Sequence, residues 1–436
     1  MTAPFEARIE KLVYGGDGLS HHDSQTVFVP YVMPGELVRV APVEERKKFI
    51  RGRWEQILEP SPDRVAALCP QFGICGGCHY QHIPYDQQLK IKAEILRETL
   101  ARIGKVEWRG EIKTVASPPF GYRNRAQWAI RPVGDPPRPA IGYFKPASAT
   151  LAPTNECPIL LPQLETVLST LSNACAEGKI PGGISGIECF SNFSGAQFLV
   201  NVGISKSTTK ASAIAEQLRE IIPGIESILI HDEATEHFEL FGPGYLLYET
   251  DGISFRVGHL SFFQVNRHLL DELVRAVAVD DGSIGNGAGL AFDLFAGVGL
   301  FSIPLAKRFE RVVAVEGNVA TARDLEVNVK NFPNIRGRHA DTESFLTRQK
   351  ETPDFVVLDP PRAGVTPQAL QRLRELGPAD ITYLSCDPAT LARDLAALTA
   401  GSPAPGARYH IGDITLYDIF PETYHIEALV RLQRLG

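Results

Sequence analysis

The sequence predicts a multidomain chain: an N-terminal β-barrel of OB type over residues 1–62, an α+β central domain over 63–255, and a C-terminal α/β, Rossmann-like domain over 256–436. Three observations carry this reading. At 436 residues the chain exceeds one typical domain. Residues 5–60 hold short strand-like runs punctuated by Gly and Pro turns, and from Leu290 onward strand and helix patterns alternate.

Composition is that of a soluble globular protein, with 44% hydrophobic and 22% charged residues. The chain has no apolar run long enough for a bilayer, and its first residues lack a signal-peptide pattern. A cytoplasmic protein without a membrane partner is expected. In that reducing setting, seven cysteines point to metal binding or catalysis before disulfides. The net charge of −7 does not suggest a nucleic-acid binder, although phosphates respond to local basic surface rather than to the total.

In the N-terminal region, Ile9–Val13, Thr26–Val29 and Glu36–Val40 read as strands, with turn chemistry at Gly15–Gly18 and Met33–Gly35. A five-stranded barrel of this kind is a common platform for single-stranded nucleic acid; a protein-docking barrel has the same composition. Glu44–Lys48 reads as a solvated hairpin tip, and Arg51 and Arg53 are placed to reach phosphate.

Cys69, Cys75 and Cys78 follow in a C-x5-C-x2-C spacing among glycines that let the backbone wrap a bound group. A closed site needs a fourth ligand, a thiolate or, as substitutes, His79 or His82. Cys157 is best placed, in the turn-rich Thr154–Pro158 segment, whereas Cys175 lies in a helical pattern and Cys189 in a strand-like run. Four thiolates suit zinc or an iron–sulfur cluster, and spacing does not choose between them. His79 and His82 read as polar neighbours of the site.

An amphipathic helix is predicted from Tyr85 to about Ile103. Residues 90–131 carry ten Lys or Arg against four Asp or Glu, with Phe120, Tyr122 and Trp128 close to Arg123 and Arg125. Charge with interleaved aromatics suits a phosphate backbone and splayed bases; a solvated helix followed by core aromatics is the competing expectation. Residues 141–255 alternate strand and helix patterns without a chemical motif of their own.

After Ser261–Asn266, a helix is expected from about Arg267, then a Gly-rich linker at Asp281–Gly287. Leu290–Phe295 reads as a strand, Ala296–Gly299 as a tight turn, Leu300–Arg308 as a helix, and Val312–Val315 as a second strand ending in Glu316. Strand–GxG–helix–strand–acid is the arrangement for S-adenosylmethionine, in which glycines admit the amino-acid part and the carboxylate accepts from ribose hydroxyls. Asp341 is placed to hold the adenine amino group. Phe355–Leu358 ends in Asp359-Pro360-Pro361-Arg362, and Ile381–Leu384 leads into Ser385-Cys386-Asp387-Pro388 and a further helix. Cys386 at a strand-to-helix junction is a candidate nucleophile, its thiol expected to be acidified by the helix N-terminus.

Taken together, these residues resemble the bacterial RNA uracil-C5 methyltransferases, in particular the branch with a TRAM domain and an iron–sulfur cluster that modifies 23S rRNA. The resemblance covers nearly all of the chain. It implies that Cys69, Cys75, Cys78 and Cys157 ligate a [4Fe–4S] cluster rather than zinc. It implies that Gln264 of Phe262–Asn266, Phe295 and Gly297 of the DLFAGVG segment, Glu316, Asp341 and Asp359 bind S-adenosyl-L-methionine. Cys386 would be the nucleophile, and Glu427 of the Phe420–Glu427 segment the general base. The partner would be RNA, 23S rRNA first and the tRNA T-loop uridine second, with the protein a monomer. The target base would flip out of its stack to reach the thiol, with Phe262 or Phe263 beside it unless both serve the core. Two departures stand out: Asp387 where the family often has Asn, which predicts a raised thiol pKa, and Leu300 where many relatives carry a polar residue. Two rival readings remain. One is transfer to an exocyclic nitrogen or a protein side chain, which favours an aromatic where Arg362 stands. The other is an iron–sulfur RNA-binding regulator without methyl transfer.

Overall fold

The computed structural model describes residues 3–205, 207–278, 288–399 and 406–435; the expected linker at Asp281–Gly287 lies outside them. The first sheet is built from β1 (Phe5–Arg8), β2 (Lys11–Leu12), β3 (Asp17–His22), β4 (Gln25–Pro30), β5 (Leu37–Glu45) and β6 (Phe49–Glu59), in the order β1-β5-β6-β4-β3-β2. It has six strands rather than five because the expected Ile9–Val13 strand is interrupted. Ile9 N–H donates to Glu36 C=O and Glu10 N–H to Leu19 C=O, so the chain crosses from one sheet edge to the other within these two residues. Edge strands separated by so short a link force the sheet to curl back on itself. Ile9, Val27, Val29, Val38, Val40 and Ile50 fill its interior.

The central sheet takes β8 (Arg125–Val133), β9 (Arg138–Phe144), β10 (Leu151–Pro153), β11 (Ile184–Ser191), β12 (Phe198–Ile204), β13 (Ile225–Asp232) and β14 (His237–Phe241), in the order β10-β9-β8-β11-β12-β13-β14. The helices α2 (Pro162–Ala176) and α3 (Ala211–Ile221) bury Leu164, Leu168, Leu171, Ile214 and Leu218 in the core shared with this sheet. The expected basic and aromatic surface over residues 90–131 is corrected here. Tyr122 and Trp128 are buried in that core. Arg125 is largely buried over the Phe190 ring at 4.3 Å, and Lys92 is fully enclosed. Alternation along β8 turns Ala126, Trp128 and Ile130 inward, because a strand with one covered face must bury every second side chain. Lys90, Arg102, Lys105, Arg109, Lys113 and Arg131 remain exposed.

The C-terminal sheet is eight-stranded. The helix α1 (Tyr85–Gly104) and β7 (Ile112–Val115) join it from upstream, and a hairpin, β15 (Tyr245–Thr250) and β16 (Ile253–Gly258), precedes α4 (Leu270–Val277). Then come β17 (Ala288–Leu294), α5 (Ser302–Ala306), β18 (Phe309–Glu316), α6 (Val319–Val329), β19 (Ile335–His339), α7 (Thr342–Arg348), β20 (Phe355–Leu358), α8 (Pro367–Leu376), β21 (Asp380–Ser385), α9 (Pro388–Thr399), β22 (Tyr409–Tyr417) and β23 (Glu427–Arg434). The order β19-β18-β17-β20-β21-β23-β22-β7 is parallel from β19 to β21 and antiparallel at β23. Strand order reverses beside β17, and the crevice at the carboxyl ends there is the ligand position of an open α/β sheet.

This packing unit extends beyond residues 256–436, since α1 and β7 belong to it. Gly104 at the end of α1 lies so close to α9 that a Cβ would sit 2.3 Å from the Ala392 carbonyl oxygen. Along α1, Lys92 Nζ donates to Asp418 Oδ1 at 2.6 Å and to the Phe420 carbonyl at 3.0 Å. One turn earlier, Gln88 Nε2 donates to Glu422 Oε2 at 3.0 Å, while Glu422 N–H donates to Gln88 Oε1 at 3.2 Å. The segment between β22 and β23 is thus fixed to α1 by a buried ion pair and a reciprocal amide–carboxyl pair.

Removing Lys92 leaves Asp418 buried and unpaired, so Lys92→Ala is expected to lower unfolding free energy in urea by about 3–5 kcal/mol. Burial pushes the Glu422 carboxyl up to about 7, with the Gln88 contact opposing. A raised folded value means that this group's stabilising contribution is complete below the unfolded carboxylate range and is lost as pH rises through about 7. Glu422→Gln is therefore expected to match the wild type near pH 4 and to exceed it at pH 8, by up to roughly 3 kcal/mol in urea titrations.

Candidate active site

The turn after β17 carries three positive backbone angles, φ +67° at Phe295, +56° at Gly297 and +94° at Gly299. Only glycine adopts such angles without strain, which is why the tight turn is written AGVG. Glu316 at the end of β18 accepts from Gly297 N–H at 2.9 Å and from Asn318 N–H at 2.7 Å, locking the turn to the neighbouring strand. Asp341 caps α7, accepting from Ser344 N–H at 2.8 Å, and that bond holds its carboxyl below the usual range. Gln264 is buried on the segment before α4, and its carbonyl accepts from Asn124 Nδ2 at 3.2 Å. The adjacent phenylalanines divide: Phe263 is in the core against Tyr248, and Phe262 is 61% exposed.

A cavity of about 660 Å³ opens over these elements. Its walls include Gln264, Phe295, Gly297, Glu316, Asp341, Asp359, Cys386 and Glu427, brought together from segments up to the chain's far end. Arg362, His425, Phe262, Phe301, Phe420 and Asn318 also line it. Asn318 was missed by sequence reasoning, although its position as the N-cap of α6, accepting from Ala320 and Thr321 N–H, is a readable signal. Leu300 is buried in the wall and packs with the core, where a polar residue was the common alternative.

Antiparallel pairing of β21 with β23 ends at Ser385 opposite Ala428. Cys386 follows the last paired residue of β21 and Glu427 precedes Ala428 on β23, and both side chains line the one cavity. The expected acidification of the thiol is corrected. Burial, then the Glu427 carboxyl, push the Cys386 thiol up to about 11, with Arg362 opposing. The free amides of α9 are taken instead by Asp387, whose Oδ1 accepts from Ala389 and Thr390 N–H at 2.9 Å each. Asp387 is thus a helix cap; the chief causes of the raised thiol pKa are burial and Glu427.

Burial raises Glu427 well above the carboxylate range, and Asp359 adds to it. Asp359 is itself pushed up to about 7 by burial and then by Asp293. Asp293, buried at the end of β17 and bonded by Ser302 Oγ, also rises to about 7 through burial. Arg362 Nη2 lies 3.3 Å from His425 Nδ1. Because a guanidinium only donates, His425 Nδ1 must accept, which makes the imidazole neutral. Burial, then Arg362, hold His425 down to about 3.

A second cavity, of about 350 Å³, is walled by Cys69, Cys75, Cys78 and Cys157 together with His79, Tyr143, Tyr424 and His425. Gly77 N–H donates to Cys75 Sγ at 3.3 Å, and Tyr143 OH to Cys157 Sγ at 3.7 Å. Burial pushes all four thiols up, Cys157 to about 12. Cys175 lies on α2 and Cys189 on β11, both in the core. Among the described residues, no group of three or more His, Cys, Asp or Glu is disposed to hold a single metal ion. Nor, among them, is any helix long and apolar enough to cross a membrane.

The strand–GxG–helix–strand–acid crevice with a cysteine at a neighbouring strand end defines an S-adenosylmethionine-dependent methyltransferase. The family model described as tRNA (Uracil-5-)-methyltransferase matches residues 345–435. The chain is 31% identical to the 23S rRNA (uracil(1939)-C(5))-methyltransferase RlmD of Alkalilimnicola ehrlichii, over 99% of this chain and 97% of that protein. It is 32% identical to the same-named protein of an Enterobacter species, over 96% and 94%. A crystal structure of Pyrococcus abyssi tRNA (uracil-54, C5)-methyltransferase in complex with S-adenosyl-L-homocysteine superposes with a TM-score of 0.74 at 27% identity, over 98% of this chain and all of that one. The chain belongs to the RNA uracil-C5 methyltransferase family, and its activity is S-adenosylmethionine-dependent methylation of uracil C5 in RNA.

The electrostatics predict that alkylation of Cys386 by iodoacetamide accelerates with pH through about 11. Glu427→Gln removes a like charge and is expected to move that midpoint downward, read as labelling rate against pH by mass spectrometry.

Proposed function

We propose that this chain methylates C5 of a uridine in 23S rRNA through a covalent bond between Cys386 and C6 of a flipped base. The observation that carries this reading is that Cys386 and Glu427 line one crevice close enough for the carboxyl to act on the thiol. Uracil C5 is a weak nucleophile. Attack of the Cys386 thiolate forms the S–C6 bond and moves the C5–C6 π electrons into the ring enolate, which makes C5 nucleophilic. S-adenosylmethionine supplies the methyl group to C5 and leaves as the neutral thioether. The Glu427 carboxylate then removes the C5 proton, and the released electron pair re-forms the C5–C6 double bond as the Cys386 thiolate departs. Burial makes Glu427 a stronger base than an exposed carboxylate, and Arg362 offers the positive charge that favours the thiolate.

In this reading Gln264, Phe295, Gly297, Glu316, Asp341 and Asp359 hold the cofactor. The sulfonium charge draws the buried acids of the crevice back toward their carboxylate forms, Glu427 among them, and exposed Phe262 stands at the rim for a flipped base. The curled N-terminal sheet serves as a TRAM domain that holds RNA, with Arg51 and Arg53 on its exposed surface. Cys69, Cys75, Cys78 and Cys157 hold a [4Fe–4S] cluster. The four thiols are spread around one cavity large enough for a polynuclear group, whereas a single zinc needs its sulfurs packed at bonds of about 2.3 Å. The methyl transfer has no redox step, so the cluster's role is to hold the fold or position RNA. A second reading keeps the chemistry and places it on tRNA, and the Pyrococcus abyssi relative favours it.

Anaerobically purified protein with radiolabelled S-adenosylmethionine is expected to place label as 5-methyluridine in unmodified 23S rRNA transcripts, and Cys386→Ala to place none. Label confined to tRNA would transfer the substrate assignment, and label surviving loss of Cys386 would sink the covalent mechanism. Iron analysis is expected to give about four iron atoms per chain, with a large loss in Cys157→Ser.

A further inference from the structure

Tyr14 lies in the turn between β2 and β3 of the N-terminal sheet, yet its ring packs against the core of the C-terminal unit. Leu12 of β2 and Met33 of the β4–β5 connection are buried in that core. The sheet is therefore seated on the catalytic unit by apolar contact, and Tyr14 cannot move independently of it. Its hydroxyl lies 3.3 Å from Asp387 Oδ2. A carboxylate can only accept, so the phenol donates.

Asp387 directly follows Cys386, and its other oxygen caps α9. One carboxylate thus fixes the helix start with one oxygen and meets a separate domain with the other. The same Tyr14 ring meets Tyr424 edge-on, with centroids 5.6 Å apart at 88°. Tyr424 packs against His425 at 4.4 Å and His79 at 4.6 Å, and it precedes Glu427 by three residues. A single side chain touches both segments that carry the reactive groups. A tyrosine that merely fills a domain boundary needs neither the carboxylate nor this position.

We infer that Tyr14 is a positioning residue for methyl transfer: by joining the N-terminal sheet to Asp387 and Tyr424, it sets the spacing between Cys386 and Glu427. The inference rests on the reading of those two residues as nucleophile and base. It makes the N-terminal sheet part of the active-site framework in addition to its role in holding RNA.

Tyr14→Phe keeps the ring against Tyr424 and removes only the hydroxyl. Asp387→Ser keeps a helix cap but withdraws the partner oxygen. Under saturating S-adenosylmethionine and RNA, each variant is expected to lower kcat roughly 5- to 10-fold, with KM for S-adenosylmethionine unchanged. The double variant is expected to be no slower than the slower single one, since both remove the same link. Urea unfolding of each variant separates this from a purely structural role, which would lower the midpoint and leave the kcat of the folded protein intact. Wild-type kcat in Tyr14→Phe, or losses that multiply in the double variant, would overturn the inference. Cys386→Ala is run alongside. If it retains methylation, the nucleophile reading fails; if it is inactive while Tyr14→Phe is fully active, only the role of Tyr14 fails.

Discussion

The buried pair between Lys92 of α1 and Asp418 is the contact on which the rest of the site depends. Both side chains are fully enclosed, and Lys92 also holds the Phe420 carbonyl. An ion pair in such surroundings adds little net stability, but it strongly disfavours any arrangement that separates the charges. The segment from Asp418 to Glu427 therefore has one permitted position along α1, with Gln88 and Glu422 repeating the restraint one turn away. That segment delivers Phe420, His425 and Glu427 to the crevice.

Electrostatics in the crevice follow from burial. Asp359, Glu427 and Cys386 share the wall with Arg362, and Asp293 is buried behind Asp359; these three acids and the thiol are each pushed toward the protonated form. Such a site resists accumulating negative charge while empty and gains from a cation. A positively charged methyl donor is the complement of that arrangement. The same crowding explains why a thiol beside a helix start is not acidic: the helix amides are satisfied by Asp387, leaving desolvation to decide.

The two cavities have a common wall. His425 lines both, with Tyr424 on the cysteine side and Arg362 on the crevice side. Whatever fills the cysteine cavity therefore bears on the segment that carries Glu427. Tyr14 reaches the same segment from a third direction, so elements from all three parts of the chain converge on the final strand's approach.

Local chemistry was legible in the sequence wherever backbone geometry demands particular residues at fixed spacing. The AGVG turn needs positive φ, so glycine must stand there, and an acid at the end of the next strand is its neighbour in any such sheet. The strand Phe355–Leu358 and the strand leading to Cys386 could be read because buried parallel strands are short apolar runs. Tertiary structure decided what depends on which faces meet. It placed Lys92, Tyr122 and Trp128 inside rather than on an RNA-facing surface, and split one predicted N-terminal strand between the two edges of its sheet. It also gave α1 and β7 to the C-terminal sheet. Spacing along the chain constrains neighbours within a few residues. The pairings of Lys92 with Asp418, Tyr14 with Asp387 and Cys386 with Glu427 join residues distant in sequence, and only packing and strand register could select them.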